Sequence, residues 1–213
     1  MVDRFSSATI IGAALTIVVV LAIFIYGVIR VNPVGESPAA LANASALNPA
    51  PTLLRVGQKA PDFTLRDAAG RSYSLASQRG HPVLLEFFAV WCPVCHAEAP
   101  TIARVTMEYV PQGVRVWSVL ANPYGRNYDI SSRTDLSPAT RQDLNWYAQT
   151  YNVHHPQLVD PNFATVNRYG VNSYPGIYVV NEKGIITFAA SGRQPASKLN
   201  AALDKALGPG SMG

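Results

Sequence analysis

The sequence has few residues with which to build a closed metal site or to join distant parts of a fold covalently. Its only cysteines are Cys92 and Cys95, whereas a structural zinc site normally needs a second cysteine pair or a spaced histidine pair. His154 and His155 are adjacent, and adjacent residues of a strand point to opposite sides, so we expect a pair that is partly exposed at a strand edge. We therefore predict no metal and no cofactor. Cysteines this close in sequence cannot connect distant segments, so we expect them to be reactive.

Charged residues are also scarce, at 14% of the chain. The 17 Lys and Arg residues exceed the 13 Asp and Glu residues, which gives a formal net charge of +4, but the basic residues do not cluster. Nucleic-acid-binding proteins concentrate positive charge on one face or helix. The composition therefore predicts no nucleic-acid partner.

One long apolar run stands at the N-terminus. Residues 8–29 contain no charged side chain, and a helix of that length covers the roughly 30 Å hydrocarbon core of a bilayer. Cleaved signal peptides have shorter apolar stretches, of about 7–15 residues. We therefore predict an uncleaved membrane anchor over 1–30, followed by a flexible linker rich in Pro, Ala, Asn and Ser over 31–54. A globular domain is predicted over 55–208 and a disordered tail over 209–213.

Within the domain, predicted strands alternate with predicted helices. Apolar runs and turn residues predict strands at 62–65, 72–75, 82–90, 113–121, 156–160, 176–180 and 185–191. Helices are predicted from Cys92 to about Tyr109, from Ser137-Pro138 to about Tyr151, over 163–170 and over 195–207. The order is a βαβ unit followed by a ββα unit, which predicts an α/β sandwich around a mixed sheet.

The segment WCPVCH at 91–96 fits two kinds of chemistry. Cys-x-x-Cys-His attaches haem in c-type cytochromes, and Cys-x-x-Cys is the redox pair of thioredoxin-like proteins. Haem would need a second axial ligand, but Met107, Met212 and the distant histidines stand in no recognisable setting for that role. The motif also follows a predicted central strand, so the redox pair is favoured and His96 is interpreted as coincidental.

The position of each cysteine predicts a different reactivity. Cys92 follows a strand and opens a helix, where backbone N–H groups and the helix dipole stabilise a thiolate. We expect a lowered pKa for Cys92, which makes it the attacking sulfur. Cys95 lies one turn further on and should be less exposed. His96 follows Cys92 on the same helical face and would favour the thiolate further if it were charged.

Two carboxylates are candidates for proton transfer to and from Cys95. Glu86 interrupts the apolar segment VLLEFF, so burial should raise its pKa, unless it occupies an edge position that faces solvent. Glu98 follows Cys95 on its helical face, and the alternative is an exposed glutamate favoured by the helix dipole. One or both are predicted to act as proton acceptors.

These segments together resemble the thioredoxin superfamily, and within it the membrane-anchored TlpA/ResA-like thiol–disulfide oxidoreductases. The resemblance covers 55–208. VGQKAPDFTLRDAAGRSYSL is similar to an N-terminal hairpin shared with peroxiredoxins, LLEFFAVWCPVCHAEAP to the strand, active site and helix, and YGVNSYPGIYVVNEKGII to the cis-proline loop and its hairpin. The implied fold is a thioredoxin-like sandwich, with a mixed central sheet flanked by helices, preceded by one transmembrane helix.

The resemblance also implies roles for individual residues. The implied catalytic residues are Cys92, Cys95, Glu86 and Glu98, and the implied substrate-binding residues are Trp91, Tyr174 and Pro175. Pro175 is expected to be cis and to face Cys92, and Pro100 to kink the active-site helix. Gly176 departs from the threonine that is common after the cis-proline, which leaves the substrate contacts there undefined.

The implied function is reduction of disulfides in exported proteins, among them apocytochrome c, with electrons from a membrane thiol transporter. The implied location is the bacterial cytoplasmic membrane, with a single membrane pass and the catalytic domain on the periplasmic side. A copper metallochaperone that uses the same dithiol and a thiol peroxidase are the alternatives. A peroxidase would have Thr-x-x-Cys where this chain has Cys92-Pro93-Val94-Cys95. The long connection 121–137 either shapes a substrate groove or lies on the surface.

Overall fold

The computed structural model describes residues 52–208. The predicted anchor (1–30), the predicted linker as far as residue 51 and the predicted tail (209–213) lie outside the described residues. Within 52–208, no helix is both long enough and apolar enough to cross a membrane.

The described residues form a seven-stranded mixed sheet with helices packed on it. The strands are β1 (Thr64–Asp67), β2 (Ser72–Ser74), β3 (Val83–Phe88), β4 (Arg115–Leu120), β5 (Gln157–Val159), β6 (Gly176–Val180) and β7 (Ile186–Ser191). The helices are α1 (Pro93–Tyr109), α2 (Arg141–Tyr151), α3 (Ala164–Arg168) and α4 (Ala196–Leu207), with a short 3₁₀ helix at Ala76–Gln78. The predicted mixed α/β architecture is confirmed.

The sheet order places the strand that leads to the cysteines at the centre. The order is β2-β1-β5-β4-β3-β6-β7, in which β3, β4 and β5 are parallel and the remaining pairs are antiparallel. Because β3 has a neighbour on each side and is covered on both faces, all six of its residues are buried. That explains why the segment reads as a nearly continuous apolar run.

The two faces of β3 contribute to different parts of the core. Leu85 and Phe87 pack with an aromatic cluster that includes Trp117 and Tyr178. Leu84 packs on the opposite face, where α1 and α4 cover the sheet. Side chains alternate along a strand, so Glu86 lies on the same face as Leu84, beneath α1.

The folded domain begins before residue 55. The backbone N–H of Leu54 donates to the Tyr169 carbonyl (3.3 Å) and lies 3.1 Å from the Tyr178 hydroxyl, and the Leu53 and Leu54 side chains pack against the aromatic cluster. At Gly170, where φ is +66°, a Cβ would overlap the carbonyl group of Thr52. These contacts assign residues 52–54, which the sequence placed in the linker, to the domain.

The two adjacent histidines before β5 differ in their surroundings. His154 is exposed and bonds to Asn152 Oδ1 at 2.9 Å. His155 is only 7% exposed, so the expectation that this pair is partly exposed at a strand edge is wrong for His155. Its ring lies between Ser118 of β4 and Thr106 of α1, both of which bond to its nitrogens, and these partners make its burial tolerable.

Helix α2 begins later than its predicted start at Ser137-Pro138. Thr140 is the N-cap, its hydroxyl accepts a hydrogen bond from the Asp143 backbone N–H, and the Asp143 carboxylate accepts one from the Thr140 backbone N–H. This reciprocal pair is a capping box, with aspartate in place of the usual glutamate. Ser137-Pro138 instead belongs to the preceding loop, where the Ser137 carbonyl accepts from Gly125 N–H.

We expect Thr140→Ala to lower the free energy of unfolding by about 1 kcal/mol, because it removes the side-chain acceptor of the Asp143 backbone N–H in the first turn. Ser137→Ala is the matched control and should leave the stability unchanged. Urea unfolding followed by circular dichroism measures both variants. An equal loss of stability in Ser137→Ala would show that α2 begins at the earlier position.

Candidate active site

Cys92 is the N-cap residue of α1. Its backbone is extended, Pro93 occupies the first helical position, and the backbone N–H of Cys95 donates to the Cys92 sulfur at 3.4 Å. Proline suits this place because it has no N–H that would need a partner there. The sequence VWCP therefore turns the chain from β3 directly into a helix whose N-terminal dipole points at Cys92 Sγ.

The two sulfurs, both present as free thiols, differ in their acidity. The pKa of Cys92 is lowered to about 6, chiefly by the hydrogen bond from the Cys95 thiol, with the backbone N–H groups of Cys95 and Val94 acting in the same direction and burial opposing them. The pKa of Cys95 is raised, first by complete burial and then by its bond to Cys92 and the charge of Glu86. Near neutral pH the pair is therefore a thiolate beside a thiol.

Glu86 is buried in the middle of β3. Its Oε2 accepts a hydrogen bond from Ser118 Oγ at 2.6 Å, while its Oε1 has no hydrogen-bond partner among the described residues. Burial raises the pKa of Glu86 to about 7, and the Ser118 bond opposes the rise. The alternative of a solvent-facing edge position does not hold, since Glu86 is only 1% exposed.

Glu98 is also buried, in the second turn of α1, so an exposed surface glutamate is likewise the wrong interpretation. Its Oε2 accepts from the Gln194 backbone N–H at 3.2 Å and lies 3.9 Å from Arg193 Nε. Burial raises the pKa of Glu98 to about 7, and Gln194 and Arg193 oppose the rise. Sequence analysis did not find these two partners, because they lie almost a hundred residues away in an irregular segment with no motif of its own.

The loop before β6 faces Cys92. The Tyr174–Pro175 peptide bond is cis, the geometry that the resemblance implies, and the Tyr174 carbonyl oxygen lies 3.9 Å from the Cys92 sulfur. Gly176 has a packing reason, since a Cβ there would lie 3.1 Å from a methyl group of Val171. A side chain at this position would therefore require Val171 to move by a few tenths of an ångström.

Trp91 lies beside the dithiol and is covered in part by the long connection between β4 and α2. Its indole N–H donates to Asn122 Oδ1 at 2.9 Å, and the Tyr128 ring packs edge-on at a centroid distance of 4.9 Å. Tyr128 in turn stacks on Tyr124 at 4.4 Å. At least part of the connection 121–137 therefore borders the active site. Its aromatic residues were the signal that sequence analysis did not use.

The side chain of His96 is held by residues other than Cys92. Its Nε2 lies 2.7 Å from the Val90 carbonyl oxygen, and its ring stacks on Tyr151 at a centroid distance of 5.0 Å. These contacts join α1 to the end of α2 and to the end of the central strand. The histidine of the WCPVCH segment therefore has a packing role in this fold.

A strand that leads into a Cys-x-x-Cys helix, beside a cis-proline loop, defines a thioredoxin-like dithiol protein. The AhpC/TSA family model matches residues 56–189, and the chain belongs to this family. It is 30% identical to the thioredoxin-like protein YneN of Bacillus subtilis over 71% of this chain and 80% of that protein. It is 28% identical to the thiol-disulfide oxidoreductase ResA of Halalkalibacterium halodurans over 66% of this chain and 71% of that protein.

Solved structures agree with the fold. The crystal structure of a putative thiol:disulfide interchange protein DsbE from Chlorobium tepidum has a TM-score of 0.59 and 25% identity, and the match covers 73% of this chain and 99% of that one. The chain is thus a protein-disulfide oxidoreductase of the thioredoxin superfamily, similar to ResA, with Cys92 and Cys95 as its Cys-x-x-Cys pair.

We expect alkylation of Cys92 by iodoacetamide to rise with a midpoint near pH 6, whereas a free cysteine titrates at about 8.5. Between about pH 6 and about pH 8.5 Cys92 is deprotonated in the folded protein but protonated in the unfolded chain. The lowered pKa of Cys92 therefore stabilises the folded reduced protein fully above about pH 8.5, and this stabilisation is lost as pH falls through about 6. Peptide mass spectrometry after timed labelling measures the midpoint, and the urea-unfolded protein is the control. A midpoint above pH 8 in the folded protein would contradict the assignment.

Proposed function

We propose that this protein is a membrane-tethered reductant of disulfides in exported proteins. The observation that supports the proposal best is the contrast between the two sulfurs: a Cys92 with a lowered pKa at the start of α1 and a fully buried Cys95 with a raised pKa. This contrast gives the two cysteines separate tasks, attack and release, which a dithiol reductant performs in sequence.

In the first step the Cys92 thiolate attacks one sulfur of a substrate disulfide. A bond forms between Cys92 Sγ and that sulfur, the substrate S–S bond breaks, and the second substrate sulfur leaves as a thiolate that takes a proton from solvent. The lowered pKa of Cys92 keeps most of it deprotonated near neutral pH. Attack on the substrate therefore needs no separate base.

In the second step Cys95 resolves the mixed disulfide. Its thiol loses a proton to a carboxylate, the resulting thiolate attacks Cys92 Sγ, and the remaining substrate sulfur leaves as the second thiolate. The product is a Cys92–Cys95 disulfide, and the substrate has gained the two electrons. A base is needed here because burial raises the pKa of Cys95.

Glu86 is better placed than Glu98 to be that base. The charge of Glu86 is one of the causes that raise the pKa of Cys95, whereas Glu98 is not among them. Glu98 is also paired with Arg193 and with the Gln194 backbone. We assign proton acceptance to Glu86, and we assign to Glu98 an electrostatic role in the buried part of the site.

The substrate is proposed to bind across Trp91, Tyr174 and cis-Pro175. The Tyr174 carbonyl oxygen is an acceptor within 3.9 Å of Cys92 Sγ, and the Trp91 and Tyr174 rings lie 6.3 Å apart at the same place. An extended peptide that carries a cysteine would present backbone donors to this carbonyl and apolar side chains to the rings. This arrangement suits many unfolded or extended disulfide substrates.

Location and electron supply are the remaining parts of the proposal. The uncharged run at 8–29 supports a single-pass anchor in the bacterial cytoplasmic membrane, with the domain on the periplasmic side. The relatives named ResA and DsbE are proteins of thiol–disulfide exchange, and the likeness to them supports exported disulfide substrates, with apocytochrome c as one candidate. A membrane thiol transporter would then return Cys92 and Cys95 to the reduced form.

We expect Cys95→Ser to accumulate a mixed disulfide between Cys92 and its substrate, because attack proceeds and release does not. Purification from cells under acid quench, followed by non-reducing electrophoresis and mass spectrometry, detects the adduct. Cys92→Ser is the control and should give none. Absence of any adduct in Cys95→Ser, together with Cu(I) binding through both sulfurs of the wild-type protein, would support copper delivery instead. Rapid peroxide consumption by the wild type would support a peroxidase.

We expect Cys92 and Cys95 to be reduced in growing cells, since a reductant is kept in the dithiol form by its electron supply. Cells are quenched with acid and labelled with a maleimide, and the active-site peptide is weighed. Two added labels support the proposed direction. An unlabelled peptide with the mass of a disulfide, in cells whose thiol transporter is intact, would make the protein an oxidant.

A further inference from the structure

A line of buried polar groups connects Glu86 to Thr106, near the C-terminal end of α1. Ser118 is the cross-strand partner of Glu86 in the parallel β3–β4 pair, and its Oγ donates to Glu86 Oε2 at 2.6 Å. The same Oγ lies 2.7 Å from His155 Nε2, and His155 Nδ1 lies 3.0 Å from Thr106 Oγ1. All four residues are buried, so each bond is formed away from bulk water.

The hydrogens in this line can be arranged in only two consistent ways. Burial lowers the pKa of His155 to about 4, so near neutral pH its ring carries a single N–H. Each hydroxyl also has one hydrogen, and Thr106 can give its hydrogen either to His155 or to the Ile102 carbonyl oxygen, which lies 2.8 Å away. The direction of one bond therefore fixes the direction of the others.

The two arrangements differ by one proton on Glu86. When Glu86 is ionised, Ser118 donates to Glu86, His155 Nε2–H donates to Ser118, and the Thr106 hydroxyl donates to His155 Nδ1. When Glu86 is protonated, Glu86 donates to Ser118, Ser118 donates to His155 Nε2, and Nδ1–H donates to Thr106, whose hydroxyl turns to Ile102. Passage from the second arrangement to the first releases one proton at Thr106.

Both His155 and Thr106 line a cavity of about 540 Å³. Its wall also includes Met107, which is 59% exposed, and Val110, which is 41% exposed, so the cavity has a rim at the protein surface. None of the lining residues is one of the cysteines, Trp91, Tyr174 or Pro175. The far end of the polar line therefore meets solvent at a place that a substrate bound over Cys92 does not cover.

We propose that Ser118, His155 and Thr106 are positioning residues that exchange the proton of Glu86 with water in this cavity. In the release direction Glu86 gives its proton to Ser118 Oγ, Ser118 passes its own to His155 Nε2, and Nδ1–H passes to Thr106 Oγ1. The hydrogen that Thr106 had donated to the Ile102 carbonyl turns toward the cavity and goes to water. Glu86 is left as a carboxylate that takes the Cys95 proton. When the Cys92–Cys95 disulfide is later reduced, Cys95 recovers that proton from Glu86.

The pKa of Glu86 explains why such an exchange is needed. A carboxyl group with a pKa of about 7 is protonated in a large share of molecules near neutral pH, and those molecules cannot accept the Cys95 proton. A substrate joined to Cys92 would cover the face of the site at that sulfur, so water could not reach Glu86 from there. The inference rests on the proposed role of Glu86 as the proton acceptor.

Other titratable groups lie near His155 without forming part of the line itself. The groups that line its two adjacent cavities are His154, Arg115, Tyr73, Asp67 and Arg71. Asp67 is paired with Arg71 at 2.8 Å and bonds to the Tyr73 hydroxyl, so its charge is balanced locally. His154, next in sequence to His155, lowers the pKa of His155 further when it is charged.

The test is a pH jump on the mixed disulfide formed with a small disulfide-containing peptide. Protein and peptide are mixed near pH 5.5, where Glu86 is mostly protonated, then brought to pH 8, and release of the peptide thiol is timed by rapid quench. We expect His155→Ala to slow release by roughly tenfold to a hundredfold. This effect is at most the lower end of the contribution of a proton acceptor in direct contact with the reacting group, because His155 acts through Glu86. Imidazole, which fits the cavity next to the vacated position, should restore the rate.

Two further variants separate a relay from a structural role. His154→Ala removes the neighbouring exposed histidine and should release peptide at the wild-type rate. Ser118→Ala interrupts the line between Glu86 and His155 with a smaller change in the core, so release should be slow and imidazole should not restore it. An His155→Ala protein that is slow but does not respond to imidazole, or a Ser118→Ala protein of normal rate, would overturn the relay.

Glu86→Gln distinguishes failure of the relay from failure of the wider proposal. If Glu86→Gln slows release and His155→Ala does not, the relay is wrong while Glu86 remains the acceptor. If Glu86→Gln releases peptide at the wild-type rate and Glu98→Gln is slow, the proton acceptor is Glu98. The relay is then wrong because it requires Glu86 as the acceptor, but the disulfide-exchange mechanism is unaffected. Absence of any mixed disulfide in the Cys95→Ser protein would refute the exchange mechanism itself.

Discussion

The direct passage of the central strand into α1 is the constraint on which this site depends. Because β3 ends only a few residues before the helix begins, Cys92 has to occupy the N-cap, where the dipole and backbone N–H groups favour its thiolate. The helical rise then places Cys95 one turn inside the helix, where it is fully buried. One local geometry thus produces one acidic sulfur and one protected sulfur.

The same geometry has a cost in stability. Glu86 and Glu98 are buried beneath and within α1, and each has one oxygen without a hydrogen-bond partner among the described residues. An apolar residue at either position would avoid the desolvation of a carboxyl group, so their presence has to be explained by chemistry rather than by packing. The large aromatic core on the opposite face of β3 supplies apolar burial that offsets this cost.

Sequence patterns predicted the parts of the fold that local physics decides. The apolar run at 82–90 predicted the buried strand, and the position of Cys92 just after that strand predicted the start of α1. They could not reveal contacts that depend on how distant segments meet. Gln194 reaches Glu98 from the segment before α4, and His155 is buried only because β4 and α1 supply partners for both ring nitrogens. The predicted start of α2 was wrong because two helix-start signals, Ser137-Pro138 and the Thr140 capping box, lie within a few residues of each other.

The arrangement separates the path of electrons from the path of protons. Electrons enter and leave through Cys92, at the face bordered by Trp91 and the cis-proline loop. Protons of the buried half of the site have no exit on that face while a substrate is joined to it. The polar line from Glu86 ends at the cavity lined by His155 and Thr106, away from the substrate. Glu86 can therefore exchange its proton with water before the substrate leaves. Cys95 and its proposed base can therefore both be buried and still exchange protons with water while a substrate covers the Cys92 face.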